Sequence, residues 1–224
     1  MRLTICCVLM SLPLLTFAIS DYQQEYEAAN HAAANWVHGE ALYNDTCIAC
    51  HGTDGGGRQD GDVPAIAAQH PRVIIRQLVD YRHDRRWDLR MEHFTDRHRL
   101  VDAQDVADVA AFIGALPPTR TTNVGDGEYA DHGHALYERL CASCHGASGG
   151  GSNAQGIPRL AGQHYQYLMR QLHDALEGRR PNFPAEHKTL LQPLERADLV
   201  GLADYLSRLD ARVVPLEPPT VRGR

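Results

Sequence analysis

Positive charge is not in surplus in this chain of 224 residues: 22 Lys and Arg stand against 28 Asp and Glu, a formal net charge of −6. That balance excludes a nucleic-acid binder relying on a broad basic surface. Gly (19) and Pro (12) are too few for a collagen-like or low-complexity chain. No run reads convincingly as a strand. Beyond the first twenty residues no stretch is apolar enough to span a bilayer. Only four cysteines remain beyond them, all in two short motifs, so no spare thiol is left. What is present, 43% hydrophobic and 22% charged residues, is the make-up of an ordinary folded chain of one large or two small domains.

The first twenty residues read as a targeting segment. Arg2 is the only charge before Asp21, and an apolar run extends from Leu3 to Ile19. Ala18-Ile19-Ser20 offers small residues where a signal peptidase reads. Cys6 and Cys7 sit at the start of the apolar run, the wrong place for a lipoprotein cysteine. The expectation is a signal peptide over 1–20 and a mature chain exported to the periplasm.

The rest is a duplication with an offset of 94 residues. Cys47-Ile48-Ala49-Cys50-His51 falls on Cys141-Ala142-Ser143-Cys144-His145. Gly55-Gly56-Gly57 falls on Gly149-Gly150-Gly151, Pro64 on Pro158, and Gln69-His70 on Gln163-His164. Arg76-Gln77-Leu78 meets Arg170-Gln171-Leu172, Arg85-Arg86 meets Arg179-Arg180, and Glu92-His93 meets Glu186-His187. Positions 39–100 give 25 identities in 62 aligned pairs without a gap. Two homologous domains in tandem follow.

Apolar residues at helical spacing predict a helix before each cysteine motif, Ala32 to Thr46 and Asp131 to Leu140. A second helix is predicted near 71–83 and 165–177. A third runs from Ala103 to Leu116, with Asp102 as N-cap, and from Glu195 to Leu209. Asp21 to Asn35 reads as an added helical segment of domain one. The expected organisation is domain one over 21–116, a linker over 117–128, domain two over 129–212 and a tail over 213–224. About ninety residues per domain is marginal for a self-sufficient core, so each domain should be all-α and wrapped around something else.

C-x-x-C-H is the attachment frame of c-type haem. Two thiols add to the vinyl groups on one porphyrin edge, and the adjacent His binds iron. Cys47, Cys50, Cys141 and Cys144 are the predicted covalent anchors of two haems, with His51 and His145 as proximal ligands. From Gly39 to Leu209 the chain resembles the diheme class I cytochromes c of the c4 type. The likeness is carried by the tandem motif, by Pro158-Arg159-Leu160-Ala161-Gly162-Gln163-His164-Tyr165, by Gly178-Arg179-Arg180 and by the terminal helix through Leu206. It implies one haem per domain, propionates close together near the domain interface, and electron transfer without substrate chemistry.

The resemblance also implies a distal Met seven residues before a Leu ahead of the last helix. Counting back from Leu100 and Leu194 reaches His93 and His187 instead, and domain two has no Met in this loop. The expected distal ligands are therefore His93 and His187, with Met91 the alternative to His93. Replacing a thioether by imidazole should lower the potential. His70 and His164 are fallback ligands or a structural opening of the second helix. His31, His38, His83, His98, His132, His134 and His173 read as surface. Arg85-Arg86 and Arg179-Arg180 neutralise propionates or stand as exposed loop charges.

The function expected is that of an exported electron carrier rather than an enzyme, exchanging electrons with redox proteins or membrane respiratory complexes. The alternative is a haem subunit of a larger redox enzyme, or a self-associating building block of an extracellular electron-conducting assembly. Intact mass after denaturation should exceed the polypeptide by two covalent haems; a mass with none contradicts the motif reading.

Overall fold

The computed structural model describes residues 20–214. The leader read over 1–20, apart from Ser20, and most of the tail lie outside the described residues. Eleven α-helices account for the described chain, with a π-helical turn at Tyr43–Cys47 and a 3-10 turn at Ala211–Val213. Among the described residues β-pairing is limited to one bridge, Ser152 to Ile157. No described helix is long and apolar enough to cross a membrane.

Domain one comprises α1 (Asp21–His31), α2 (Trp36–Leu42), α3 (Ile48–His51), α4 (Pro71–Arg82), α5 (Leu89–Thr95) and α6 (Ala103–Ala115). Domain two comprises α7 (Ala130–Leu140), α8 (Ala142–His145), α9 (Tyr165–Leu176), α10 (Ala185–Leu191) and α11 (Arg196–Arg208). The helix expected from Ala32 starts later. Ala32 is extended, and the Asn35 carboxamide oxygen accepts from the Val37 and His38 amides, so the chain breaks and recaps before Trp36. Asp102 caps α6 through the Gln104 and Asp105 amides. Glu195 and Asp198 form a capping box that opens α11.

In each domain the helix before the cysteine motif, α2 or α7, crosses the last helix at a glycine. A methyl group on Gly39 would fall 2.0 Å from the Asp108 carbonyl oxygen, and one on Gly133 would fall 1.8 Å from that of Gly201. Only a bare Cα permits these backbones to touch. Beneath each crossing a buried tyrosine ties the helix to the cysteine motif. Tyr43 and Tyr137 donate at 2.6 Å to the carbonyls of Gly52 and Gly146. His38 and His132 add a second tie, to Asp108 of α6 at 2.9 Å and Asp198 of α11 at 2.6 Å. These two histidines do stand 94 residues apart, a correspondence the sequence reading leaves out.

The domains meet across an approximate two-fold axis. Gln69 donates to the Arg159 carbonyl and accepts from its amide, both at 2.9 Å. Gln163 does the same with Ala65, at 2.9 and 3.1 Å. His70 donates to the Gly150 carbonyl and His164 to that of Gly56, each at 2.8 Å. Arg76 reaches the Gly156 carbonyl at 3.0 Å and Arg170 that of Asp62 at 2.9 Å. Each of these contacts is repeated by its 94-residue counterpart, the signature of an isologous interface.

Gly133→Ala should destabilise domain two by about 3 kcal/mol, the upper end of overpacking costs. Gly201→Ala should cost less, because its added methyl meets backbone only at 3.0 Å. Urea unfolding of the haem-loaded chain checks the order; equal effects would contradict the packing argument.

Candidate haem sites

The cysteine motif is delivered by short helices. α3 and α8 end on His51 and His145, and Gly52 and Gly146, with φ of +79° and +77°, turn the chain away. The following loop folds back on the histidine. Gly57 donates to the His51 carbonyl at 2.9 Å and Gly151 to that of His145 at 2.8 Å. The imidazole Nδ1 of His51 then lies 3.1 Å from the Pro64 carbonyl, and that of His145 lies 3.1 Å from the Pro158 carbonyl. A carbonyl can only accept, so Nδ1 carries the proton and Nε2 keeps its lone pair. That is the tautomer a metal-binding imidazole needs.

Both rings are buried, and burial pushes His51 down to about 4 and His145 below its ordinary value. They are therefore neutral at physiological pH, as ligation requires. The four cysteines of the motifs form no disulfide, which leaves every sulfur for a thioether bond. Burial and the neighbouring thiol push Cys47 up to about 12 and Cys141 up to about 11.

On the opposite side of domain two, His187 faces His145. The ring centroids are 6.1 Å apart with 73° between planes. His187 Nδ1 is buried with no hydrogen-bond partner. Burial and the Arg180 guanidinium hold the ring below its ordinary pKa. An iron held by two imidazoles at ~2 Å from each nitrogen sets ring centroids about 6 Å apart. The residues present fit such a group.

Domain one differs. His93 is exposed, and its ring contact is with the neighbouring Phe94. Met91 is half-buried and packs on the core of Tyr43, Leu78, Val79 and Leu100, as Cys47 and Ile48 also do. The reason is a slide of two residues between the helices. Asp88 caps α5 by accepting from the Arg90 and Met91 amides, which makes Met91 the third residue of its helix. The sequence counterpart of Asp88 is Asn182, but Asn182 instead donates to Asp80 of the other domain at 2.7 Å. α10 consequently begins after Pro184, and its third residue is His187. Helix phase thus matches His187 with Met91, whereas residue count matches it with His93.

His70 and His164, the fallback ligands, spend Nε2 on the interface bonds above. The Thr121 hydroxyl also meets His164 Nδ1 at 2.5 Å. The repeated arginines divide into two kinds. Arg85 and Arg179 are exposed and pair with Asp80 at 3.7 Å and Asp174 at 2.9 Å. Arg86 and Arg180 turn inward to the interface. Arg86 donates to Gln77 at 2.7 Å, Tyr167 at 2.7 Å and Gln171 at 3.3 Å. Arg180 donates to Gln171 at 2.5 Å and Gln77 at 2.9 Å. Burial and the like charge of Arg86 push Arg180 down to about 10. Burial alone would raise Tyr167, but the two guanidiniums outweigh it and pull the phenol down.

Known proteins share this two-domain fold. The cytochrome c family model matches residues 36–117 and again 130–210. The chain is 34% identical over 181 residues to cytochrome c4 of Thiocapsa roseopersicina, covering 76% of this chain and 91% of that one. The reduced cytochrome c4 structure from Pseudomonas stutzeri superposes with a TM-score of 0.69 at 26% identity, covering 79% of this chain and all of that one. A thiosulfate dehydrogenase from Marichromatium purpuratum gives 0.68 at 28% identity, covering 78% of this chain and 40% of that one. With two matched domains, two attachment motifs and one dyad relating them, the chain belongs to the cytochrome c family as a diheme member of the c4 type.

Proposed function

We propose that this electron-transfer cytochrome is an exported carrier whose two irons are held by different ligand sets: His51 with Met91 in domain one, His145 with His187 in domain two. One-electron storage is the chemistry that porphyrin iron supplies when bound. The chain sets where each electron rests. The observation that carries the reading is the pair of facing rings, His145 and His187, 6.1 Å apart with a buried, unpartnered nitrogen. The matching helix position of Met91 supports the other half.

A thioether opposite histidine raises the potential, and a second imidazole lowers it. Domain two therefore hands electrons to domain one. Both irons keep six ligands, so no position is left for a substrate, and the chain acts as a carrier rather than an enzyme. Arg86 and Arg180 bring two buried positive charges to the interface, and their hydrogen bonds go to amide and phenol oxygens. Uncompensated buried charge is costly, and haem carboxylates at the interface would offset it. Export to the periplasm rests on the leader over 1–20. The domains are read as 21–116 and 129–212.

A second reading is supported by the likeness to part of a thiosulfate dehydrogenase: the chain serves as the haem subunit of a larger redox enzyme. Trp87 and Leu89, 61% and 86% exposed at the start of the Met91 helix, suit a protein partner there.

Met91→Ala should abolish the weak far-red band of Met-ligated ferric haem and open the first iron to cyanide, while His93→Ala leaves both unchanged. His187→Met should raise the second potential by on the order of 0.2 V, a fraction of the ~0.8 V that axial ligands span. A band lost with His93→Ala, or retained in Met91→Ala, contradicts the assignment.

A further inference from the structure

Domain one carries an element that domain two lacks. α1 precedes the matched family region, which begins at residue 36, and packs on α4 and α6. Its inner face holds Glu25, a carboxylate only 7% exposed. Two arginines and a histidine converge on it. Arg82 Nη1 bonds Oε1, His83 Nε2 lies 2.9 Å from Oε2, and Arg97 Nη2 lies 2.9 Å from the same oxygen.

The three come from the two ends of one segment. Arg82 and His83 close α4, and Arg97 follows α5. Arg82 extends the tie by donating to the Thr95 carbonyl at 2.7 Å and to the Leu100 carbonyl. Thr95 and Leu100 are each 1% exposed. The stretch from 83 to 100, with Met91 near its middle, is thus closed on one buried carboxylate. Burial would raise Glu25, but His83 and Arg82 outweigh it and hold the carboxyl below its ordinary range. Exposed ion pairs contribute little; this carboxylate is inside, where loss of a partner is expensive.

The 94-residue register puts Leu176, Glu177 and Leu191 in domain two where Arg82, His83 and Arg97 stand. None is a cation, and Leu191 is buried among apolar side chains. The domain with the clip is the one whose distal ligand is a thioether, a poorer donor than imidazole and more easily lost if its loop moves.

We infer that α1 is a clip on the distal loop of domain one, and that Glu25 is a positioning residue that keeps Met91 on the first iron. The inference rests on the Met91 assignment made above. The test uses the haem-loaded full chain with Glu25→Gln and, in case that variant fails to fold, Arg97→Gln, which removes one arm only. Glu27→Gln, on the exposed side of the same helix, is the control. Amide exchange over 88–100 should quicken about tenfold or more in both variants, with 184–194 unchanged. The far-red band should disappear well below the temperature of global unfolding, and the control should behave as the parent. Unchanged exchange over 88–100, or an equal rise across α4 and α6, overturns the clip. If the parent itself lacks the band, the Met91 assignment has failed separately, and exchange over 88–100 still decides whether Glu25 holds the loop.

Discussion

The hydrogen bond from His51 to the Pro64 carbonyl, copied as His145 to Pro158, is the constraint on which the rest depends. It selects the tautomer, orients the ring and buries it neutral. The intervening loop is built to make it. Gly57 and Gly151 have φ of +70° and +67°, and a methyl on either would strike the carbonyl of Val63 or Ile157 at 2.4 Å. The proline that accepts the bond leads directly into the interface residues. Gln69 and Gln163, five positions on, lock the two loops together through backbone groups of Arg159 and Ala65. Proximal geometry and domain pairing are therefore one structure.

The dyad preserves what the two domains share and isolates what they do not. The proximal half and the Gln-His contacts of the interface obey it residue by residue. The distal half breaks it because Asp88 and Asn182 use their side chains differently. An aspartate free to accept from two amides starts a helix. Asn182 instead gives its Nδ2 to Asp80 and takes Arg180 on its Oδ1, and Pro184, at the Arg90 position, has no amide to donate, so the helix starts two residues later. Helix phase thereby puts Met91 in one domain where His187 stands in the other. The buried Arg86 and Arg180 lie between the domains, and His187 feels both Arg180 and, from domain one, Arg76.

Much of this was legible in the residues. The doubled motif, the Gln-His pairs and the periodic apolar positions of α4, α6, α9 and α11 carry local signals, and those helices lie within about a residue of the bounds expected. The break before Trp36 was not legible, because Ala32 to Ala34 read as good helix formers and only the Asn35 cap marks the stop. α5 and α10 were missed because seven residues carry too little periodicity. The two-residue slide between α5 and α10 was not legible for a deeper reason. An internal alignment equates positions by count, whereas Asn182 bonds to a residue of the other domain, more than a hundred positions away in sequence.

Iron K-edge absorption of the ferric protein tests the central claim most directly, since it counts sulfur bonded to iron without reference to any variant. Two unlike ligand sets predict one iron–sulfur bond for every two irons. No sulfur at either iron, or sulfur at both, would contradict the account.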